Sequence, residues 1–307
     1  MTTGTKAAVI FALQDYIGVH GLTQEEIALK AGVNVSYINA MLNNSLKVGK
    51  TDIGDKHFRK VASAIGFMYE TYYWEQTDTP QYEMIMEELL DAKVRGLEKM
   101  IIGDTGTGKT YTMRQFQRKH PANTYCITVS SMHQLGHILS DICDEMGIQR
   151  VTDNMSKLRK ISARLKNIRL EGKQPIIVID EAENLKLPAL KMTKALYDAL
   201  YGYCPIVLIG THQLLRKLEQ LKESDTEGMA QLYRRFKAGK REIRGIDKGS
   251  MFEPFLSEVD DEGVRALVCT LADNYGELNR YLEPALREAD QMKEPLTEQF
   301  YRMLYKI

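Results

Sequence analysis

The chain changes its hydrophobic rhythm twice. From residue 6 to about 74 apolar positions recur at helical spacing in short runs, and the stretch closes on the aromatic cluster MYETYYW. EQTDTPQY then breaks the pattern with polar residues and a proline, which predicts a linker at about 75–82. From YEMIMEELL onward, helical runs alternate with short apolar runs. KMIIG (99–103), TYCITVS (124–130), PIIVID (175–180), PIVLIG (205–210) and REIRGI (241–246) predict strands. Segments 109–119, 133–146 and 155–170 predict helices between them. Strands alternating with helices imply an α/β fold with a parallel sheet covered on both faces. After about 250 the strand signals stop, and EVDDEGVRALVCTLADN, ELNRYLEPALREADQM and TEQFYRMLYK predict a helical subdomain. The expected organisation is an all-α domain at 1–76, an α/β core at 82–248 and a helical lid at 249–307.

Chemistry enters at the end of the first predicted strand of the core. GDTGTGKT, 103–110, matches the phosphate-loop pattern GxxxxGK[ST]. Gly103, Gly106 and Gly108 allow backbone N–H groups to wrap phosphates closely. Asp104, Thr105, Thr107 and Tyr111 complete the cradle. Lys109 would reach the β- and γ-phosphates of ATP, and the Thr110 hydroxyl would bind Mg²⁺. The helix that follows points its positive end at the same phosphates. PIIVIDE supplies the partner motif. Its apolar run predicts a buried strand with Asp180 at the C-terminal end, where ligand groups gather in open α/β sheets. Asp180 would hold the magnesium shell, and Glu181 would orient or deprotonate water. PIVLIGTH ends in polar Thr211 and His212. Thr211 fits either a γ-phosphate sensor or a simple turn.

The first domain carries a different signal. In TQEEIALKAGVNVSYINAMLN, counting Gln24 as position one, Ala28 is fifth, Gly32 ninth, Ile38 fifteenth and Met41 eighteenth, which is helix-turn-helix spacing. Val33, Ile38 and Met41 would bury the second helix. Its polar face, with Ser36, Tyr37, Asn39 and Asn43, suits a DNA major groove. A helical protein-docking domain is the alternative.

Lys+Arg and Asp+Glu are both 41, so the chain as a whole is not a basic nucleic-acid coat. The charge is uneven, however. KLRKISARLKNIRLEGK, from 157, contains one acid, and Lys157, Arg159, Lys160, Arg164 and Lys166 are candidates for a DNA-facing surface; a solvated helix is the alternative. No apolar run reaches membrane-span length and no signal pattern opens the chain, so the expected compartment is the cytoplasm. Four scattered cysteines predict reduced thiols rather than disulfides. His133 and His137 stand four apart, but no third metal ligand accompanies them. Trp74 with Tyr69, Tyr72 and Tyr73 predicts a hydrophobic seam closing the first domain.

The loop, the Asp180–Glu181 pair, the polar strand end and the helical tail together resemble the AAA+ ATPases. The resemblance implies Thr211 as sensor 1, and Arg235, with Arg234 as alternate, as an arginine finger acting on a neighbouring subunit's ATP. It also implies a sensor-2 residue in GELNR, where Asn279 occupies the arginine position and Arg280 follows it. With IALKAG, IVIDEAENL and LIGTH, the whole chain is similar to the MuB-like, transposase-helper branch of that family. That likeness implies an ATP- and Mg²⁺-dependent protein that oligomerises on double-stranded DNA as a ring or filament. It would deliver that DNA to a transposase and disassemble on hydrolysis. An ATP-gated transcription regulator and a helicase-loader-like ATPase are the competing readings.

Overall fold

The computed structural model describes residues 3–67, 78–149, 151–257 and 259–307. The chain divides into two compact units, Met1–Glu75 and Gln76–Ile307.

The first unit contains helices α1 (Thr3–His20), α2 (Gln24–Ala31), α3 (Val35–Leu42) and α4 (Asp55–Ala64). Local chemistry sets the α2–α3 boundary. Thr23 caps α2 and forms a reciprocal capping box with Glu26. Gly32 ends the helix at φ 60°, a left-handed conformation that costs glycine little. The Asn34 side chain then accepts from Ser36 N at 2.9 Å and starts α3. Val9, Leu13, Ile27, Ile38, Met41, Phe58 and Val61 are fully buried and form one core. Val33 is only half-buried. A small hairpin, β1 (Lys47–Val48) and β2 (Thr51–Asp52), joins α3 to α4. The periodicity did not predict it, because strands this short and polar leave no alternation to read. The aromatic cluster from Tyr69 to Trp74 lies outside the described residues.

The second unit opens with α5 (Pro80–Arg95), capped by Thr79 with proline in the first turn, so this helix begins inside the expected linker. There follow β3 (Lys99–Ile102), α6 (Lys109–Lys119), β4 (Thr124–Thr128), α7 (Leu135–Glu145), α8 (Asn154–Leu170) and β5 (Ile176–Asp180). A 3₁₀ turn at Ala182–Asn184 leads to α9 (Leu187–Leu200), β6 (Ile206–Gly210), α10 (His212–Glu223), α11 (Met229–Lys237) and β7 (Lys240–Glu242). The five strands are parallel in the order β4-β5-β6-β3-β7. Alternation along the strands feeds two cores. Met100, Ile102, Ile177, Ile179, Ile206 and Leu208 face α7 to α11. Ile101, Val178, Val207 and Ile209 face Leu89 of α5 and Phe116 of α6. This is the α/β sheet that the pattern predicted.

Two short helices, α12 (Lys248–Met251) and α13 (Glu253–Leu256), precede α14 (Glu262–Leu271), α15 (Tyr275–Met292) and α16 (Glu298–Tyr305). Val264, Val268, Leu278, Leu282, Phe300 and Tyr301 bury the inner faces of the last three. Gln81 of α5 ties this tail to the sheet. It accepts from the Tyr275 hydroxyl at 2.8 Å and donates to Arg244 O at 3.2 Å. Among the described residues no helix is long and apolar enough to cross a membrane.

Candidate nucleotide site

Adjacent parallel strands bring their C-terminal ends to one edge. β3 ends in the glycine loop, and β6 and β5 beside it end in Thr211 and Asp180. The loop needs its glycines for distinct reasons. Gly106 and Gly108 sit at φ 79° and 84°. Gly103 packs so closely that a Cβ would stand 2.9 Å from Ile243 Cδ1. Gly103 N also donates to Gly210 O, which fixes the loop root to β6.

Lys109 opens α6 and folds back into the loop. Its ammonium donates to Gly103 O at 2.8 Å and Asp104 O at 2.6 Å. Burial pushes this lysine below its ordinary pKa, while Glu183, Asp180, Asp104 and Glu181 pull the other way. Thr110 Oγ1 donates to Asp180 Oδ2 at 2.6 Å. The other oxygen, Asp180 Oδ1, is buried with no hydrogen-bond partner among the described residues. Burial therefore raises the Asp180 pKa, against the opposing pull of Thr110, the Glu181 N–H and Lys109. An orphaned carboxylate oxygen beside a threonine hydroxyl is a pair of hard oxygen donors, the chemistry that fits a Mg²⁺ ion.

Glu181 leaves β5 at φ 51°, a left-handed conformation unusual for a side chain that is not glycine. Asn184 Nδ2 holds its carboxylate at 3.1 Å and bonds Val129 O at 2.8 Å. Thr211 caps α10, accepting from Gln213 N at 3.3 Å, so it is both the polar strand end and a turn. Its own N–H donates to Glu183 Oε2 at 3.3 Å. Lys217 anchors Glu183 from behind through the main-chain oxygen. A Cβ on Gly210 would come 2.6 Å from Glu183 Oε2. Sequence reasoning missed Glu183; its signal was an acid two residues after the Asp180–Glu181 pair. It also missed Asn274, the N-cap of α15, whose side chain lies directly against Gly106. Asn-x-x-Glu ahead of a helical run was the readable sign. Tyr111 is partly exposed at the mouth of the loop, as are Asp104 and Thr105.

Other expected residues lie elsewhere in the fold. Arg235 is engaged within its own chain: its guanidinium pairs with Asp198 at 2.8 Å and lies 4.0 Å from the centre of the Tyr197 ring. Arg234, one position earlier, faces outward. Asn279 is half-buried and Arg280 exposed on α15. Lys157 is a correction. It is buried, and its ammonium donates to Ser140 Oγ at 2.9 Å and Gly136 O at 3.2 Å, so it packs α8 on α7 and is absent from the outer face. Arg159, Lys160 and Arg164 are exposed, and Lys166 stands over the Tyr203 ring. In the first unit, Ser36 and Asn39 are exposed. Asn43 bonds back to Asn39, and Tyr37 stacks on His57 with ring centres 4.2 Å apart. His133 and His137 each accept a backbone N–H of their own loop, and no metal-binding cluster occurs among the described residues. The cysteines are free, and burial pushes the Cys126 thiol up to about 12.

The match to known families falls on this same core. Residues 99–218 match a family model described as an AAA domain. The AAA domain lies within a chain that is similar to MuB-type proteins. It is 26% identical over 216 residues to the Mu-like prophage FluMu DNA transposition protein B of Haemophilus influenzae, covering 69% of this chain and 72% of that protein. It is 23% identical over 195 residues to the ATP-dependent target DNA activator B of Escherichia phage Mu, covering 62% of this chain and 60% of that protein. Among solved structures, the Aeropyrum pernix ORC1 protein in complex with DNA matches with a TM-score of 0.56. The identity is 16%, over 75% of this chain and 65% of that one. The Aeropyrum pernix ORC2 protein, solved as ADPNP–ADP complexes, matches at 0.53 with 16% identity, over 75% and 70%. With the match over residues 99–218, these likenesses show an AAA+ P-loop fold.

Proposed function

We propose that this chain is an ATP-dependent DNA-binding ATPase that assembles on duplex DNA, marks it as target and delivers it to a transposase. One observation carries the reading. A phosphate loop, a Thr110–Asp180 pair with an orphaned oxygen, and Glu181 share one sheet edge, in a chain similar to an ATP-dependent target DNA activator. Lys109 trades its two carbonyl bonds for β- and γ-phosphate oxygens. Thr110 and Asp180 would hold Mg²⁺, whose charge would offset the charge that develops on the phosphates. Glu181 turns from Asn184 to orient the attacking water, Thr211 contacts the γ-phosphate side, and Asn279 or Arg280 approaches from the lid.

A guanidinium from a neighbouring subunit completes the site and makes ATP part of the subunit boundary. Exposed Arg234 is better free to serve than Arg235, which would first have to leave Asp198 and Tyr197. Hydrolysis then loosens the polymer. Arg159, Lys160, Arg164 and Lys166 line the duplex without reading sequence. The α2–α3 pair adds an auxiliary grip through Ser36, Tyr37, Asn39 and Asn43. The work is done in the cytoplasm of a bacterial or phage-infected cell.

Negative-stain electron microscopy with random-sequence duplex DNA tests this. Filaments or rings are expected with ATP and absent with ADP. Dispersed particles in both states, with a DNase footprint at one sequence, would instead establish the transcription-regulator reading.

A further inference from the structure

α15 starts on the nucleotide loop and carries a proline in its middle. At its start, Asn274 lies so close to Gly106 that a Cβ there would collide with the asparagine side chain. A Cβ on Gly276 would come 3.9 Å from Gly106 Cα. Further along stands Pro284. Proline has no N–H, so the carbonyl four residues back, Arg280 O, has no donor within the helix, and the ring crowds that turn.

The last helix of the chain brings a donor to this turn. The Tyr305 hydroxyl donates to Tyr281 O at 2.8 Å and also lies 3.4 Å from Arg280 O, so it reaches both carbonyls of this turn. The Tyr301 hydroxyl lies 3.3 Å from Tyr281 O. The rings of Tyr301 and Tyr281 pack on Tyr305 with centres 4.8 and 5.6 Å away. Phenylalanine would fill this seam equally well. What tyrosine adds is a donor aimed at the turn that Pro284 opens.

We propose that Tyr305 is a positioning residue for the nucleotide site: its hydroxyl braces the turn that Pro284 leaves one donor short and holds the first half of α15, with Asn274 at its tip, against Gly106. The inference rests on the ATP reading above and extends it to the end of the chain. Without the hydroxyl the opened turn flexes, the tip of α15 lifts, and the loop loses its upper wall. Nucleotide affinity falls while Glu181 and the Thr110–Asp180 pair, held by the sheet edge, stay in place.

The test is a double-mutant cycle on the full chain. Tyr305→Phe keeps the ring and removes the donor; Pro284→Ala restores the helical N–H. Binding of a fluorescent ATP analogue and steady-state hydrolysis are measured for wild type, both single variants and the double variant. Y305F is expected to raise Kd and KM by about threefold to tenfold, the worth of one net hydrogen bond, with kcat little changed. P284A in the same chain is expected to bring Kd and KM back to wild type. An unchanged Kd in Y305F, with or without a lower melting temperature, overturns the proposal. So does a loss that P284A leaves uncorrected. If the wild type itself shows no saturable analogue binding, the ATP reading fails and this one with it.

Discussion

The nucleotide edge and the outer face of α3 were both marked by short sequence motifs, yet they are built on opposite principles. At the nucleotide edge, polarity is left unsatisfied in the interior. Asp180 keeps a bare oxygen, Lys109 spends its charge on loop carbonyls, and Glu181 holds a left-handed backbone. On α3 the polar groups are exposed and already content: Asn34 caps the helix, and Asn43 bonds Asn39. Buried polarity without partners is costly, so its persistence at one edge points to a ligand that completes it. A content, solvated face carries no such cost and gives no such pointer. The difference explains why the first region commits to a chemistry and the second only permits one.

The largest expected effect breaks the nucleotide edge without unfolding it. Glu181→Gln keeps size and the bond to Asn184 but removes the base. ATP turnover should fall by roughly 10²- to 10⁴-fold while analogue binding holds. Turnover within a few-fold of wild type would remove Glu181 from the chemistry.

The next effect contrasts the two sides of α3. Ile38 is fully buried in the first unit's core, so Ile38→Ala should cost about 2–5 kcal/mol there. Asn39→Ala, one residue away on the outer face, should move stability by less than about 0.5 kcal/mol. If α3 grips DNA, the second variant weakens duplex binding and the first abolishes it only through unfolding. Hydrogen exchange at α3 amides separates the two. Equal stability losses would mean that the face is packed rather than solvated.

This contrast also marks what the sequence made legible. Apolar runs located β3, β5 and β6 because fully buried parallel strands leave little room for polar residues, whereas β7, with the sequence KRE, is partly exposed. The loop and the Asp180–Glu181 pair were readable because backbone geometry demands glycine, and the strand end demands an acid, at fixed spacing. Side-chain commitments were not readable. Lys157 is basic like its neighbours on α8, but its helical phase turns it inward onto Gly136 and Ser140. Arg235 and Arg234 are chemically identical in the sequence, and only the fold gives one of them Asp198 and Tyr197. Asn274 and Glu183 were hidden because their roles depend on which glycine they meet across the sheet edge or from the lid.

A smaller effect tests whether the bare oxygen really is a cost. Burial raises the Asp180 pKa above its ordinary value. The protonated form is favoured on folding, so this group's contribution is present below the usual carboxylate range and is lost as pH rises through the raised value. Without a ligand, the ionised form carries the full cost of its burial. Asp180→Asn should therefore raise the thermal stability of the free ATPase unit, by about 1–3 kcal/mol, while removing Mg²⁺-dependent turnover. Wild type should also gain on the variant as pH falls toward the acid range. A variant that melts lower than wild type at neutral pH would mean the bare oxygen is compensated.

The smallest effect comes from the first unit's own orphan. His57 Nδ1 is buried without a partner, as Asp180 Oδ1 is, but what surrounds it is the Tyr37 ring and two cations of like sign, Lys56 and Lys60. Burial, then Lys56 and Lys60, hold its pKa below the ordinary histidine value. The neutral ring is thus the folded form; its contribution is present above about 6.5 and is lost as pH falls through the lowered value. Hydrogen exchange at α3 and α4 amides should quicken modestly between pH 7.5 and 5, after correction for intrinsic rates, and His57→Phe should flatten that dependence. The same variant should leave ATP turnover untouched. An orphaned polar atom marks a site only where other functional groups converge on it, and Asp180 and His57, two of the three such residues among those described, separate on that criterion. A change in turnover on replacing His57 would show that the criterion is wrong.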